Sequence, residues 1–229
     1  MNDQLDPTSY YELHGGVRKG DPRLNSEYFA ESMYGPTGHC FACGFLGPPI
    51  GTFILGASDT PNVPFWQVDR NGDYGMVTSE LAERIRPAFP DLTLRLAGKK
   101  SAKAQDVYVL IPEILPITIW EPEKLDKFEA RILGFPTKYC EVCENSRQWI
   151  PGQSMHIPPT RWPATPQGPF ICTKEQFRFR DMRIIERRNF YRGDLAQFLS
   201  EASPRPLEWC HVVTPAEILA GGPRSHSAG

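Results

Sequence analysis

The sequence predicts an α+β fold made of short mixed or antiparallel sheets with peripheral helices. Two observations support this prediction: the chain is rich in turn-forming residues, and short segments alternate between strand and helix patterns. The 229 residues include 23 prolines and 19 glycines, and proline interrupts the hydrogen bonding of helices and central strands. We therefore expect short elements joined by much irregular structure.

Strand patterns lie mainly in the first half of the chain. Residues 10–13 suit an edge strand. Residues 65–69 form a β-rich run that the Asn-Gly pair at 71–72 can turn into a hairpin, because this pair readily adopts positive φ. Residues 106–111 and 114–120 are two further β-rich runs. These runs predict short strands.

Helix patterns occur in both halves. Thr78 and Ser79 can accept the free amides of a helix start, and Pro87 is expected to stop that helix. Residues 123–133 and 194–202 each place apolar side chains along one helical stripe. We expect a helix at each of these three places.

Two capping boxes predict further helix starts near the carboxyl end. The sequences are Thr173-x-x-Gln176 and Thr214-x-x-Glu217, in which each side chain can bond to a free backbone amide of the other residue. Pro215 occupies the favoured first helical position of the second box.

A proline-rich stretch divides the chain into three predicted segments. Residues 151–169 are expected to form an extended surface strap. Residues 1–150, before the strap, are predicted to be one α+β region. Residues 170–229, after it, are predicted to be an α/β segment that packs on the first.

Charge and hydropathy narrow the class of protein. The net charge of -2 gives no overall attraction to nucleic acid or to anionic membranes. The first thirty residues hold no apolar run of signal-peptide length, and prolines interrupt the apolar stretch 107–120, which is shorter than the ~20 residues of a membrane helix. These features predict a soluble cytoplasmic protein without a membrane partner.

Two Cys-x-x-Cys pairs carry the clearest chemical signal. Two thiolates separated by two residues converge on one metal ion, and two such pairs complete the tetrahedral shell that zinc prefers. Ninety-six residues lie between the pairs, so the metal would clip together distant parts of the fold. We predict one structural Zn²⁺ in a two-knuckle site, held by Cys40, Cys43, Cys140 and Cys143.

Details of this site leave alternatives open. Gly44 follows the first pair and suits a knuckle. The second pair has Glu144 instead, and Asn145 can take the left-handed position one residue later. His39 is an alternative ligand in place of one cysteine. Redox chemistry at a single pair is also conceivable, although two pairs without a strand-then-helix context favour structural zinc.

The remaining sequence predicts a protein without catalysis. Cys172 and Cys210 lie beside apolar residues and are expected to act as small buried hydrophobes. The chain contains no phosphate-binding loop, HExxH, GxSxG or dinucleotide glycine pattern. We therefore expect a binding protein rather than an enzyme.

A basic stretch over residues 173–192 gives a hypothesis about partners. Cations with interleaved aromatic residues can contact phosphates and bases, but acidic residues in the stretch also fit a solvated protein face. Arginine and aromatic residues dominate interface energies. The predicted partner-binding residues are Trp162, Arg187, Arg188, Tyr191 and Arg192.

The cysteine pattern resembles a known family. Tyr-Tyr-Glu-Leu at 10–13, Cys-Phe-Ala-Cys-Gly at 40–44 and Cys-Glu-Val-Cys at 140–143 resemble the double-CXXCG motif family, a myxobacterial paralogous group. Phe170-Ile-Cys-Thr and Phe177 look like that family's strand followed by a helix. Members are commonly described as immunity proteins of swarm-inhibition toxin systems. The resemblance implies a protein that neutralises a cognate toxin by occlusion; the alternative is a zinc-ribbon nucleic-acid-binding protein.

Overall fold

The fold consists of short strands and helices. The computed structural model of the chain describes residues 4–14, 40, 47, 51–55, 61, 63–67, 74–98, 105–119, 138–142, 145–150, 159–164, 167–174, 176–179, 185–212 and 214–220. Within these ranges the chain forms three sheets and three helices. The predicted α+β class, with short mixed and antiparallel sheets, is confirmed.

Thirteen strands are present in these ranges. In chain order they are β1 Tyr10–His14, β2 Phe65–Gln67, β3 Gly75–Thr78, β4 Thr93–Leu96, β5 Val107–Ile111, β6 Glu113–Ile114, β7 Lys138–Cys140, β8 Asn145–Ile150, β9 Phe170–Cys172, β10 Gln176–Phe179, β11 Ile185–Glu186, β12 Asn189–Arg192 and β13 Glu208–His211. The helices are α1 Ser79–Ala88, α2 Gly193–Ala202 and α3 Pro215–Leu219.

The first sheet has five strands in the order β13-β1-β12-β9-β6. Its pairs are antiparallel except β6 with β9, which is parallel. Tyr11 pairs with Tyr191 on one side and with His211 on the other. The predicted strand at 10–13 is confirmed, but its edge position is wrong, because β1 has a hydrogen-bonded neighbour on each side.

The second sheet is antiparallel, in the order β2-β3-β5-β4. Gln67 pairs with Gly75, which confirms the predicted hairpin, while the Asn-Gly pair at 71–72 lies outside the described residues. The strand predicted over 106–111 is confirmed as β5. The strand predicted over 114–120 is present at Ile114 and wrong over 115–119, because Pro116 cannot donate a hydrogen bond to the ladder, while Trp120 lies outside the described residues.

The third sheet has the order β11-β10-β8-β7, with β8 and β10 parallel. The helix predicted from the capping box at Thr173 is wrong, because β10 begins at Gln176 and includes Phe177. The Thr173 hydroxyl accepts a hydrogen bond from the Arg188 amide at 3.0 Å instead. Pairing with distant strands overrides this local helix signal.

The predicted helix starts at Thr78 and Thr214 are confirmed. The Thr78 hydroxyl accepts a hydrogen bond from the Leu81 amide at 3.4 Å, and α1 continues one residue past Pro87. The Glu217 carboxylate accepts a hydrogen bond from the Thr214 amide at 2.6 Å, which completes the second capping box. The helix predicted over 194–202 is confirmed as α2, and the one predicted over 123–133 lies outside the described residues.

The largest apolar core joins the first two sheets with α1 and α2. Phe65, Val77 and Leu110 come from the second sheet, and Phe170 and Tyr191 come from the first. A second apolar cluster lies on the opposite face of the second sheet. A third covers the opposite face of the first sheet. Both sheets are therefore buried on two sides.

The three predicted segments share their sheets. Strands from 1–150 and from 170–229 lie side by side in the first sheet and again in the third. The proposed segment boundaries stay a prediction. The carboxyl-terminal segment nevertheless does not build either sheet alone. In the first sheet β1 separates β12 from β13, and in the third sheet β7 and β8 come from the amino-terminal segment.

Candidate metal centre and interaction surface

The second cysteine pair brackets the connection between two strands. Cys140 ends β7 and pairs with Asn145, the first residue of β8. Residues 141–144 connect these antiparallel strands, so a four-residue turn links Cys140 to Asn145, and Cys143 lies outside the described residues. Such a turn is the local geometry in which two thiolates can share a metal ion. Asn145 lies in a strand rather than in the left-handed position predicted for it.

The first cysteine pair is described only at Cys40, which is half-buried. Cys43, Cys143 and the alternative ligand His39 lie outside the described residues. No group of three or more His, Cys, Asp or Glu side chains suited to a metal ion occurs within the described ranges. Because half of the predicted ligand set lies outside those ranges, the four-thiolate site stays a prediction.

Tyr191 is not part of an accessible contact surface. Its exposed fraction is 0%, and its ring lies 4.4 Å from that of Phe170 and 5.2 Å from that of Trp209, measured between centroids. Its central position in the first sheet places it in the largest core. The prediction that Tyr191 contacts a partner is therefore wrong.

Arg187 and Arg188 hold segments of the scaffold together. The Arg187 guanidinium donates hydrogen bonds to the carbonyl oxygens of Thr173 at 2.8 Å and Lys174 at 2.6 Å. The Arg188 guanidinium forms a two-pronged ion pair with Glu12, in which Nε lies 2.6 Å from Oε1. The exposed side-chain fractions of Arg188 and Glu12 are only 14% and 15%.

Arg192 and Trp162 also make internal contacts. The Arg192 guanidinium donates to Asp194 at 2.9 and 2.7 Å, and this bonding raises the pKa of Arg192. Trp162 packs against Tyr10 and Phe190, with ring centroids 5.5 and 5.8 Å apart. The predicted contact residues thus lie in or beside the first sheet, where their polar groups and rings stabilise the fold.

The two cysteines outside the predicted metal site are poor nucleophiles. Cys172 is 1% exposed, and burial raises the pKa of its thiol to about 12. This confirms the expectation that Cys172 acts as a small buried hydrophobe. Cys210 is half-buried, and burial raises the pKa of its thiol as well. A thiolate is the reactive form of cysteine, so these environments disfavour reaction at neutral pH.

Two exposed arginines on α1 were not singled out from the sequence. The guanidinium of Arg84 lies 5.4 Å from the ring centroid of Phe198, and that of Arg86 lies 4.8 Å from the ring centroid of Tyr108. The rings orient the cations while both arginines stay at the surface. Helical spacing alone predicts that they lie on opposite flanks of α1. It does not predict which aromatic rings they contact.

Comparisons with known proteins do not assign this chain to a family. The chain matches no protein-family model, no curated protein and no solved structure. The resemblance of its cysteine pattern to the double-CXXCG motif family therefore stays a prediction. Across the described residues, no helix has the length and apolar character required to cross a membrane.

Proposed function

We propose that this chain is a non-enzymatic immunity protein that binds a cognate protein toxin and neutralises it by occlusion, with one structural zinc ion. The observation that carries the zinc part is the β7–β8 hairpin, whose first strand ends at Cys140. Toxin binding rests on the resemblance of the two cysteine knuckles to the double-CXXCG motif family. Cys40, Cys43, Cys140 and Cys143 would hold the metal as a tetrathiolate.

Charged side chains of the described residues pair with one another within the scaffold. Glu12 pairs with Arg188, Asp194 with Arg192, and Glu217 with His211 at 3.1 Å. These pairs link strands and helix starts of the scaffold. A scaffold whose charged groups stabilise one another suits a rigid protein that presents a preformed surface.

Arg84 and Arg86, one on each flank of α1, are the best candidate contact residues on the described surface. Arginine is enriched among the residues that dominate interface energies, and stacking on a ring reduces the side-chain entropy lost when a partner binds. We assign these two arginines the role first predicted for Arg187, Arg188 and Arg192. An acidic surface of the toxin would be their counterpart.

Native mass spectrometry of the protein isolated from its source cells, without added metal, tests the proposal. We expect one zinc ion and a second polypeptide. The Arg84→Gln/Arg86→Gln variant should bind this polypeptide at least tenfold more weakly while it keeps its zinc. Arg161→Gln, which removes an exposed cation elsewhere, is the control. The proposal fails if no polypeptide co-purifies, or if the control and the double variant behave alike.

A further inference from the structure

The outer edge of β4 is exposed at both of its ends. β4 is the last strand of the second sheet and pairs with β5 on one side only. Four large apolar side chains are exposed among the described residues, and only one of them, Leu96 at 48%, lies in a strand. Thr93, at the start of β4, is exposed as well. An edge strand carries unpaired backbone groups that can pair with another chain.

Backbone hydrogen bonds show which residues of β4 face outward. The Ala97 amide donates to the carbonyl oxygen of Val107 at 2.8 Å, toward β5. Backbone groups alternate in direction from one residue to the next along a strand. Arg95 therefore also directs its amide and carbonyl toward β5, whereas Leu94 and Leu96 direct theirs away from the sheet.

The residue that follows β4 by two positions confirms this direction. The Gly98 amide donates to the carbonyl oxygen of Phe53 at 2.6 Å, and the Gly98 carbonyl accepts from the Leu55 amide at 3.0 Å. Residues 53–55 thus close the edge beyond the end of β4. Within the described part of the chain, no backbone hydrogen bond reaches the outward groups of Leu94 and Leu96. These two residues form an open stretch of edge.

The charge of Arg95 argues against a second copy of this chain as the occupant. If two β4 strands paired antiparallel about a two-fold axis, Leu94 of each would lie opposite Leu96 of the other. The two Arg95 side chains would then lie directly opposite each other, and like charges in that position destabilise a strand pair. Neither β4 nor β5 contains an acidic residue that would offset them.

A carboxylate opposite Arg95 reverses this repulsion. The Arg95 guanidinium donates to the carbonyl oxygen of Gly51 at 2.9 Å. Since a guanidinium carries five donors, Arg95 can serve this carbonyl and a carboxylate together. The residues on either side of the carboxylate would lie opposite Leu94 and Leu96, where apolar side chains extend the surface that Leu94 shares with the largest core. The pattern that fits is therefore apolar, acidic, apolar.

We propose that the outer edge of β4 binds an extended segment of a partner protein in which one acidic residue lies between two apolar ones. The segment adds a fifth strand to the four-stranded second sheet. Backbone pairing with Leu94 and Leu96 supplies affinity, and the alternating side chains supply specificity. The proposal does not rest on toxin binding, which we assign to the arginines of α1.

Amide hydrogen exchange of the free full-length protein, followed by NMR, tests whether the edge is open. The Leu94 and Leu96 amides should exchange at least tenfold faster than the Arg95 amide, which is hydrogen-bonded within the sheet. Gly98 is the internal control, because its amide points outward but has a partner, and it should exchange slowly. Equal protection of Leu94, Leu96 and Arg95 would show that the edge is already covered and would overturn the proposal.

A synthetic peptide tests the occupant. The probe is Ser-Thr-Val-Glu-Val-Thr-Ser with blocked ends, and the matched control has lysine in place of glutamate. At about 2 mM the glutamate peptide should slow exchange of the Leu94 and Leu96 amides, whose chemical shifts also report the affinity. The lysine peptide should bind at least threefold more weakly, because a like charge then lies opposite Arg95. Equal binding of the two peptides would contradict the assigned occupant.

Three variants separate backbone pairing from side-chain contact. Leu96→Pro removes an outward donor that β4 itself does not use, and proline is tolerated at such edge positions. This variant should bind the glutamate peptide at least tenfold more weakly, whereas Leu96→Ala keeps the donor and should lose about threefold. Arg84→Gln removes a positive charge that lies over the ring of Phe198 on α2 and should bind like the wild type. Far-UV circular dichroism verifies that each variant is folded.

Three further results would overturn the proposal. One is failure of the glutamate peptide to affect either outward amide. Another is unchanged peptide binding by Leu96→Pro, which would place the binding site elsewhere. The third is a concentration-dependent dimer in sedimentation that Leu96→Pro dissolves, which would identify a second copy as the occupant. None of these results depends on the co-purified polypeptide that tests toxin binding.

Discussion

At the residue scale, one close approach of backbone depends on the absence of a side chain. A Cβ atom added at Gly193 would lie 1.8 Å from the carbonyl oxygen of Asp6 and 3.0 Å from Cε2 of Tyr11. The Gly193 amide also donates to the carbonyl oxygen of Ser9 at 2.8 Å. The start of α2 is thereby fixed against the amino-terminal turn, and neither backbone segment can move without the loss of hydrogen bonds.

Gly193→Ala should lower the free energy of unfolding by about 3 kcal/mol, because the new methyl group overlaps with backbone that cannot yield cheaply. Urea denaturation measures the change. Gly168→Ala is the matched control: its Cβ would meet only Oε2 of Glu113, at 2.9 Å, at the end of a flexible side chain. The control should cost less than about 1 kcal/mol. Equal losses in the two variants would contradict the steric explanation.

The buried Cys172 thiol predicts a loss of stability at alkaline pH. Burial raises the pKa of Cys172 from 9.0 to about 12. Below pH 9 the thiol is neutral in both the folded and the unfolded state, so its contribution is fully present. Between pH 9 and 12 only the unfolded chain releases the proton, so the free energy of unfolding falls by about 1.4 kcal/mol per pH unit.

Comparison with Cys172→Ala isolates this effect. The difference in unfolding free energy between wild type and variant should shrink as the pH rises from 9 to 11, because the variant lacks the titrating thiol. Chemical denaturation at each pH under reducing conditions measures it. Cys210→Ala should show a smaller change, since Cys210 is only half-buried. A difference that stays constant with pH would show that the Cys172 thiol ionises in the folded protein.

At the scale of elements, an ion pair joins β1 to the residue that precedes β12. Glu12 and Arg188 are both largely buried, and removal of one partner leaves the other charge without compensation. Glu12→Gln should therefore lower the free energy of unfolding by about 3 kcal/mol. Thermal and urea denaturation measure the loss.

A double variant distinguishes the energetic cost of an unpaired buried charge from the loss of the contacts that the ion pair makes. Glu12→Leu/Arg188→Met replaces both charges with apolar side chains and should recover at least half of the loss, because no unpaired charge remains. A double variant that is less stable than Glu12→Gln would show that the pair contributes through its geometry. In that case β1 and β12 would depend on the ion pair itself for their alignment.

At the scale of the whole molecule, the predicted zinc site links residues that are far apart in sequence. Cys140→Ser should reduce bound zinc from one ion to none, because three thiolates hold the metal much less tightly than four. If the free energy of unfolding falls by about 4 kcal/mol, the melting temperature should fall by roughly 10 °C. Native mass spectrometry and calorimetry measure the two effects, with Cys210→Ser as the control. Full zinc content and unchanged melting in Cys140→Ser would remove the second pair from the metal shell.

Local sequence signals were sufficient to predict several elements. The α1 and α3 starts follow from hydrogen bonds that span three residues, as at Thr78 and Leu81 or at Thr214 and Glu217. The pairing of β2 with β3 likewise joins segments that are close in sequence, as the Asn-Gly pair after the first of them predicts. Interactions over so short a range depend little on the rest of the chain, so the sequence determines them directly.

For residues whose contact partners are far away in the sequence, only the tertiary structure showed what their side chains do. Tyr191 and Arg188 have the chemistry of contact residues, yet one lies in the core and the other pairs with Glu12. The sequence by itself determined the α+β class, the cysteine pairs and the capped helices. Only the tertiary structure decided which charges are accessible, because burial and strand register depend on partners far along the chain.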